Sequence, residues 1–374
     1  MKFAFCLFKY FPYGGLQRDF LRIARECLKR GHEIDVYTMQ WEGKEEPGLS
    51  VYLIPATGWQ NHRRNRSFIE KAKARLFGKH YDLVVGFNKM PYLDVYYAAD
   101  VCYQARIRQQ RGLLHHLTPR YRQLMADEKA VFGTESKTQV LLISPLQQVE
   151  YQQYYGTLSK RFHLLPPGIA HDRVAPTNAE DIRQAIRESY HISPEQFLLL
   201  MVGSGFKTKG VDRALYAVAA LPDNLRSRCR LLVIGQDNPQ ALLKLSRKLH
   251  IKRQVQFLGG RDDVPHFLLA ADLLLHPAYH ENTGTVLLEA LVSGLPVLTT
   301  AVCGYAHYVQ EAKAGVVLPV PFVQAQFTIT LRNILLSEKR LSWRENALAF
   351  AKTADIYSMP ERAVDVIERL SSIW

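Results

Sequence analysis

The chain has 374 residues, of which 47% are hydrophobic and 22% charged, a balance that excludes a disordered or low-complexity polypeptide and leaves room for two domains of ordinary size. Its formal net charge is +13, and residues 1–165 hold 25 basic side chains against 15 acidic ones, so an anionic partner is expected to meet the N-terminal half. No stretch approaches an apolar membrane span, Phe3 to Phe8 is too short before Lys9 for a signal peptide, and the five cysteines (Cys6, Cys27, Cys102, Cys229, Cys303) form no C-x-x-C pair, so a cytoplasmic protein without a zinc site or disulfide frame is expected.

Phe3 to Phe8 reads as a buried strand, followed by an amphipathic helix that runs to about Arg30 and stops at Gly31. His32 to Thr38 then alternates as a second strand, which makes a β-α-β start to a doubly wound sheet. Gly14 and Gly15 fall in the first strand-to-helix turn, but G-x-G-x-x-G is absent and a dinucleotide site is not expected. Asp19, one helical turn on, either faces a ligand or serves as an ordinary partner of the helix dipole. Tyr81 to Phe87 is another buried strand, and polar residues gathered after such strands are where a site is built: Asn88, Lys89, Asp94 and Asp100. Asp100 is the first choice for a site carboxylate and Asp94 the second.

Ala105 to Gln123 carries Arg106, Arg108, Arg111, Arg120 and Arg122 with Leu113, Leu114 and Leu117, two histidines and no acid. That composition suits an anionic membrane surface or a polyanion, the alternative being a solvated helix. Arg63 to Arg75 is a second basic run. Nucleic acid is weakly supported, because no recognised DNA or RNA motif accompanies the charge.

Lys160 to Ile169 leads through Pro-Pro-Gly into a hinge, after which Phe197 to Val202 starts a second series of strands near Leu231, Val255, Leu273 and Val297, with helical sequence between them. Gly203 to Leu215 is not a Walker A loop, yet its glycines, Lys207, Lys209 and a helix start suit a diphosphate. His276 to Thr300 is a strand-loop-helix-strand unit in which the apolar run Asp272 to Leu275 ends in a polar turn, Thr283 is expected to cap the helix and Gly284 to admit a ligand to the backbone. Glu281 and Glu289 bracket that turn, either as ligand carboxylates or as solvated helix-end glutamates. His276 is expected to shape the loop rather than act as a base.

The E-x7-E spacing of Glu281 and Glu289, followed by Ser293-Gly294-Leu295-Pro296-Val297, resembles the nucleotide-sugar site of retaining GT-B glycosyltransferases of family 4. CLFKYFPYGGLQRDF, LPPGI, KGVDR and the segment around HPAY and SGLPVLTTAVCGYAHY extend the likeness over nearly the whole chain, toward the lipopolysaccharide-core glucosyltransferases. The resemblance implies two Rossmann-like, doubly wound parallel-sheet domains facing a cleft: residues 1–165, acceptor- and membrane-facing and joined by a last helix at about 357–374 that crosses back, and residues 166–356, which bind the donor.

It also implies roles. Glu289 would hold the ribose of a UDP-sugar, Glu281 and the amides of Asn282, Thr283 and Gly284 would read the sugar, and Lys209 and Arg173 would clamp the diphosphate beside Gly203. Arg261 would lie in the base-binding loop, Gly14 and Gly15 would approach the diphosphate and acceptor, and Asp19 and Asp100 would complete the catalytic set. The acceptor would be lipid-linked inner-core lipopolysaccharide met at the anionic inner membrane, not nucleic acid. Glucose is the first choice of sugar, with N-acetylgalactosamine and N-acetylglucosamine kept open by Asn282 and Thr283. No D-x-D motif is present, so neither a catalytic metal nor any other cofactor is expected. Phosphorolysis on the same fold is disfavoured, since a pyridoxal phosphate lysine is missing from its expected setting.

Overall fold

The computed structural model describes residues 1–12, 14–110 and 118–373, with the side chains of 108–110 outside that description. The chain divides into two compact units, Met1–Gly168 with Tyr357–Trp374, and Ile169–Ile356. The first unit contains β1 (Lys2–Cys6), β2 (Lys9–Tyr10), β3 (Glu33–Thr38), β4 (Gln40–Trp41), β5 (Leu49–Leu53), β6 (Leu83–Gly86), β7 (Val95–Ala98), β8 (Gln139–Leu142) and β9 (Phe162–Leu164). Seven of them form one sheet in the order β5-β3-β1-β6-β7-β8-β9, with every pair parallel. The two-residue strands β2 and β4 pair separately, an element too short to be read from the sequence.

Parallel strands with both faces covered read as continuous apolar runs, and β1 does so because successive side chains point to opposite faces. Phe3, Phe5 and Leu7 enter one core with Phe20, Ile23 and Val36, whereas Ala4 and Cys6 enter another with Tyr37, Phe68, Tyr96 and Phe132. The Met359–Ser371 helix closes the first of these cores, burying Met359, Ala363, Val364 and Ile367. Polar contacts fix its register: Arg30 donates to Asp365 at 2.8 Å and to Glu368 at 2.9 Å, and His32 Nε2 lies 2.7 Å from Glu368.

The second unit contains β10 (Phe197–Val202), β11 (Cys229–Ile234), β12 (Val255–Gly259), β13 (Leu273–His276), β14 (Val297–Thr300) and β15 (Gly315–Leu318). These form an all-parallel sheet in the order β12-β11-β10-β13-β14-β15. Strand β13 begins one residue later than the apolar run because the Asp272 carboxylate is taken by Arg183, Arg187 and the Leu198 amide. In both sheets the order reverses beside the first strand, between β1 and β6 and between β10 and β13. At such a switch point the loops leave in opposite directions and open a crevice outside the carboxyl ends of the strands.

Truncating Ile367, which is 0% exposed, is expected to cost about 2–5 kcal/mol. Hydrogen exchange of Ile367→Ala should show that loss in the amides of β1 and β3, while the amides of β10 and β11 keep their protection.

Candidate active site

The switch point of the second unit brings together two loops. One leaves β10 and contains Gly203, Gly205 and Gly210, with φ of 135°, 79° and 73°, before the Val211–Ala219 helix. The other leaves β13 and reaches the Thr285–Val292 helix through Gly284, whose φ is 78°. The cap expected at Thr283 is therefore corrected: the left-handed backbone needed to enter the helix falls on Gly284, and no side chain caps it. Among the described residues the Thr283 and Gly284 amides donate to no other backbone group, so this helix start is open to an anion.

The loops are joined along their length. Tyr279 N donates to Thr208 O at 2.8 Å, and Arg213 Nη1 donates to Pro277 O and Ala278 O at 3.1 and 2.9 Å. The Arg213 guanidinium lies between the rings of Tyr279 and Phe322, at 3.5 and 3.8 Å. A Cβ at Gly210 would collide with Pro277 O. The sequence did not reveal this clamp; the only trace of it is an arginine three residues after Gly210.

What the clamp positions is Glu281. Its Oε2 forms an ion pair with Lys209 and lies 3.2 Å from Nε2 of His276, which is 1% exposed. Burial alone would raise the Glu281 carboxyl, but the His276 hydrogen bond and the Lys209 ammonium outweigh it and hold the group at about 2. Burial disfavours charge on His276 as well, but its interactions with Cys303 and Glu281 prevail and raise it to about 9. Cys303 and Glu281 thus favour the protonated form of His276, which makes it a poor proton acceptor.

The other residues expected in the second unit are placed less closely. Glu289 is the fifth residue of the Thr285–Val292 helix, half-buried, and its carboxylate makes no ion pair among the described residues. Asn282 is buried. Arg173 sits on the short turn His171–Arg173, 3.7 Å from Asp172, and pairs with neither loop. Arg261 is engaged by Asp263 through two 2.6 Å hydrogen bonds, which occupy its guanidinium.

At the switch point of the first unit, Phe8 N donates to Asn88 Oδ1 at 2.7 Å and ties the loop after β1 to the loop after β6. Gly14 precedes the Gly15–Lys29 helix with an ordinary φ of −82°, and a Cβ at Gly15 would meet nothing within 4 Å. Asp19 lies past the first turn, so a dipole role is not its anchor. It accepts a 2.8 Å hydrogen bond from Tyr97 on β7. Burial raises Asp19 to about 6, against the lowering by Tyr97, Arg22 and Arg18. Asp94 is used within the fold, its carboxylate accepting from Val84 N at 2.8 Å. Asp100 is exposed beyond β7.

Arg106 lies on the Tyr103–Gln110 helix, and Arg120 and Arg122 on the Pro119–Phe132 helix; all three are exposed. The Arg108 side chain and Arg111, Leu113 and Leu114 lie outside the described residues. No described helix is long and apolar enough to cross a membrane.

One nucleotide-binding strand order occurring twice in a chain, each time with its polar loops at the switch point, is the organisation of the GT-B glycosyltransferases. Residues 13–173 match the model of Glycosyltransferase Family 4 and residues 182–350 that of Glycosyl transferases group 1. The chain belongs to this glycosyltransferase family. It is 47% identical over 365 residues to the lipopolysaccharide glucosyltransferase WaaG of Escherichia coli (strain K12), covering 97% of this chain and 98% of that one. A crystal structure of WaaG, a glycosyltransferase involved in lipopolysaccharide biosynthesis, superposes with a TM-score of 0.92 at 47% identity, over 98% and 99% of the two chains. Anabaena HepE in complex with UDP-glucose shares the fold at 18% identity and a TM-score of 0.76, over 99% and 100%.

The ion-paired trio makes stability depend on pH from both sides. His276 has a folded value of about 9 against 6.5 when free, so its contribution is complete below 6.5 and is lost as pH rises through about 9. Glu281, at about 2 against 4.5, contributes above 4.5 and loses that contribution as pH falls through about 2. Thermal melts of wild type and His276→Gln are expected to differ most between pH 4.5 and 6.5 and to converge toward pH 9.

Proposed function

We propose that this glycosyltransferase moves glucose from UDP-glucose to the inner-core heptose of lipopolysaccharide, with retention and without a catalytic metal, at the cytoplasmic face of the inner membrane. The observation that carries the reading is the Lys209–Glu281–His276 trio at the β10/β13 switch point, beside an open helix start. The departing UDP needs positive charge on its β-phosphate. Lys209 and the amides of the two loops supply it, with Arg173 as a second cation, and because they are held in place before reaction they stabilise charge as it develops.

Glu281, freed from part of its pairing when Lys209 turns to phosphate, reads the sugar hydroxyls together with Asn282, Thr283 and Gly284. Glu289 takes the ribose, and the backbone around Arg261 takes the base. Asp19 and Asp100 face the acceptor, with Gly14 and Gly15 leaving room for it. No carboxylate is assigned as a nucleophile, so retention follows from front-face attack assisted by the leaving phosphate. Similarity to a lipopolysaccharide glucosyltransferase over 97% of the chain supports the donor and the acceptor class.

The decisive experiment is transfer from UDP-glucose, UDP-N-acetylgalactosamine and UDP-N-acetylglucosamine to heptose-terminated lipopolysaccharide, with and without EDTA. Glucose should be preferred and EDTA should have no effect; preference for an N-acetylhexosamine overturns the donor, and loss with EDTA overturns the metal-free mechanism. In the same assay Lys209→Ala should lower kcat by roughly 10² to 10³, the cost of one preorganised donor.

The basic stretch docks the enzyme on anionic lipid. Each arginine near such a surface contributes about 1 kcal/mol, and the attraction is screened by salt. Co-sedimentation with anionic vesicles should fall as salt rises, and should fall again when Arg106, Arg108, Arg111, Arg120 and Arg122 are changed to Gln. Equal binding by both proteins moves the contact to the Arg63 to Arg75 run, which lies on the Asn61–Phe77 helix.

A further inference from the structure

The segment from Asp100 to Tyr103, which runs from β7 into the Tyr103–Gln110 helix, is held by four side chains in succession. Tyr151 OH donates to Asp100 O at 3.0 Å. Lys89 Nζ donates to Val101 O at 2.8 Å. Gln147 Oε1 accepts from Cys102 N at 2.6 Å. The two carboxylate oxygens of Glu128 accept from Tyr103 N at 2.9 and 3.0 Å. Tyr151 and Glu128 are fully buried, Gln147 is 5% exposed and the Lys89 side chain 12%.

Lys89 and Glu128 also face one another at 3.5 Å, with the Lys89 ammonium above the rings of Phe132 and Tyr151. A buried carboxylate is costly unless it is paired and hydrogen-bonded, and Glu128 is paired with Lys89 and holds the first amide of the Tyr103–Gln110 helix. The fold could cover an ordinary surface loop without a buried ion pair, since replacing such a pair by apolar groups is often neutral or stabilising. What the arrangement secures is position: Asp100 projects its carboxylate from a backbone fixed at four consecutive residues, while remaining exposed itself.

We infer that Glu128 and Lys89, with Tyr151, are positioning residues for transfer, holding the Asp100 carboxylate where the acceptor meets it. The inference rests on the reading of Asp100 as an acceptor-facing group. Glu128 belongs to the Pro119–Phe132 helix that carries Arg120 and Arg122, so the surface assigned to lipid and the loop assigned to acceptor share one rigid connection.

The test is a double-mutant cycle on the full-length enzyme with heptose-terminated lipopolysaccharide. Glu128→Gln and Tyr151→Phe should each lower kcat about tenfold, leave the KM for UDP-glucose within about twofold of wild type, and add nothing in the Asp100→Asn background, because coupled residues are not additive. Tyr151→Phe removes one hydroxyl without breaking the ion pair, so its cycle reads the inference if Glu128→Gln fails to fold. Losses that multiply with Asp100→Asn, or a raised donor KM, mean a general structural role and overturn the inference while leaving Asp100 in place. Wild-type turnover by Asp100→Asn overturns the reading of Asp100, and the inference with it.

Discussion

The second unit depends on one carboxylate held between two cations. Glu281 sits at the mouth of a parallel sheet, where a buried charge survives only if it is paired, and Lys209 and His276 reach it from a neighbouring loop and from β13 itself. The rest of the loop geometry follows from that requirement. Gly210 must lack a side chain so that the Pro277 carbonyl can approach, Arg213 must bind the carbonyls of residues 277 and 278, and Tyr279 must pair with Thr208. Such a network resists relaxation of the two loops.

The two units solve the same problem differently. Both use a switch point, yet in the first it is joined by a neutral contact, the Asn88 side chain on Phe8 N, and its acid, Asp19, is raised by burial instead of lowered by cations. On the proposed reading the first would meet an uncharged sugar hydroxyl, with little need of net positive charge, and the second a leaving diphosphate.

Much of the fold was legible because parallel strands buried on both faces leave apolar runs, as the Phe3-to-Cys6, Phe197-to-Val202 and Leu273-to-Leu275 stretches do. Strand β10 falls at Phe197–Val202 as read, while β1 ends two residues before Phe8 and β13 starts one residue after Asp272, whose carboxylate is taken by Arg183 and Arg187. The glutamates of the E-x7-E pattern were legible because spacing along a loop and helix is local. The partners of Glu281 were not: Lys209 is 72 positions away, and nothing local distinguishes Arg213 from any other basic residue on a helix. Thr283 was misread because cap preference ranks side chains, whereas the left-handed turn selects for the absence of one. Asp100 was preferred to Asp94 in sequence on position alone; the structure adds the physical difference, since β6 takes the Asp94 carboxylate through Val84 N.

The return of residues 357–374 to the first unit also sets an order of events during synthesis. The second unit is continuous: its last strand ends at Leu318, and Phe327, Leu331 and Ile334 complete its core before residue 357 is reached. The first unit, though made earlier, waits with the face lined by Phe3, Phe5, Phe20 and Ile23 uncovered until Met359, Val364 and Ile367 leave the ribosome. The half of the protein that is translated first is therefore finished last, and a nascent chain stalled before residue 357 would present that apolar face to chaperones.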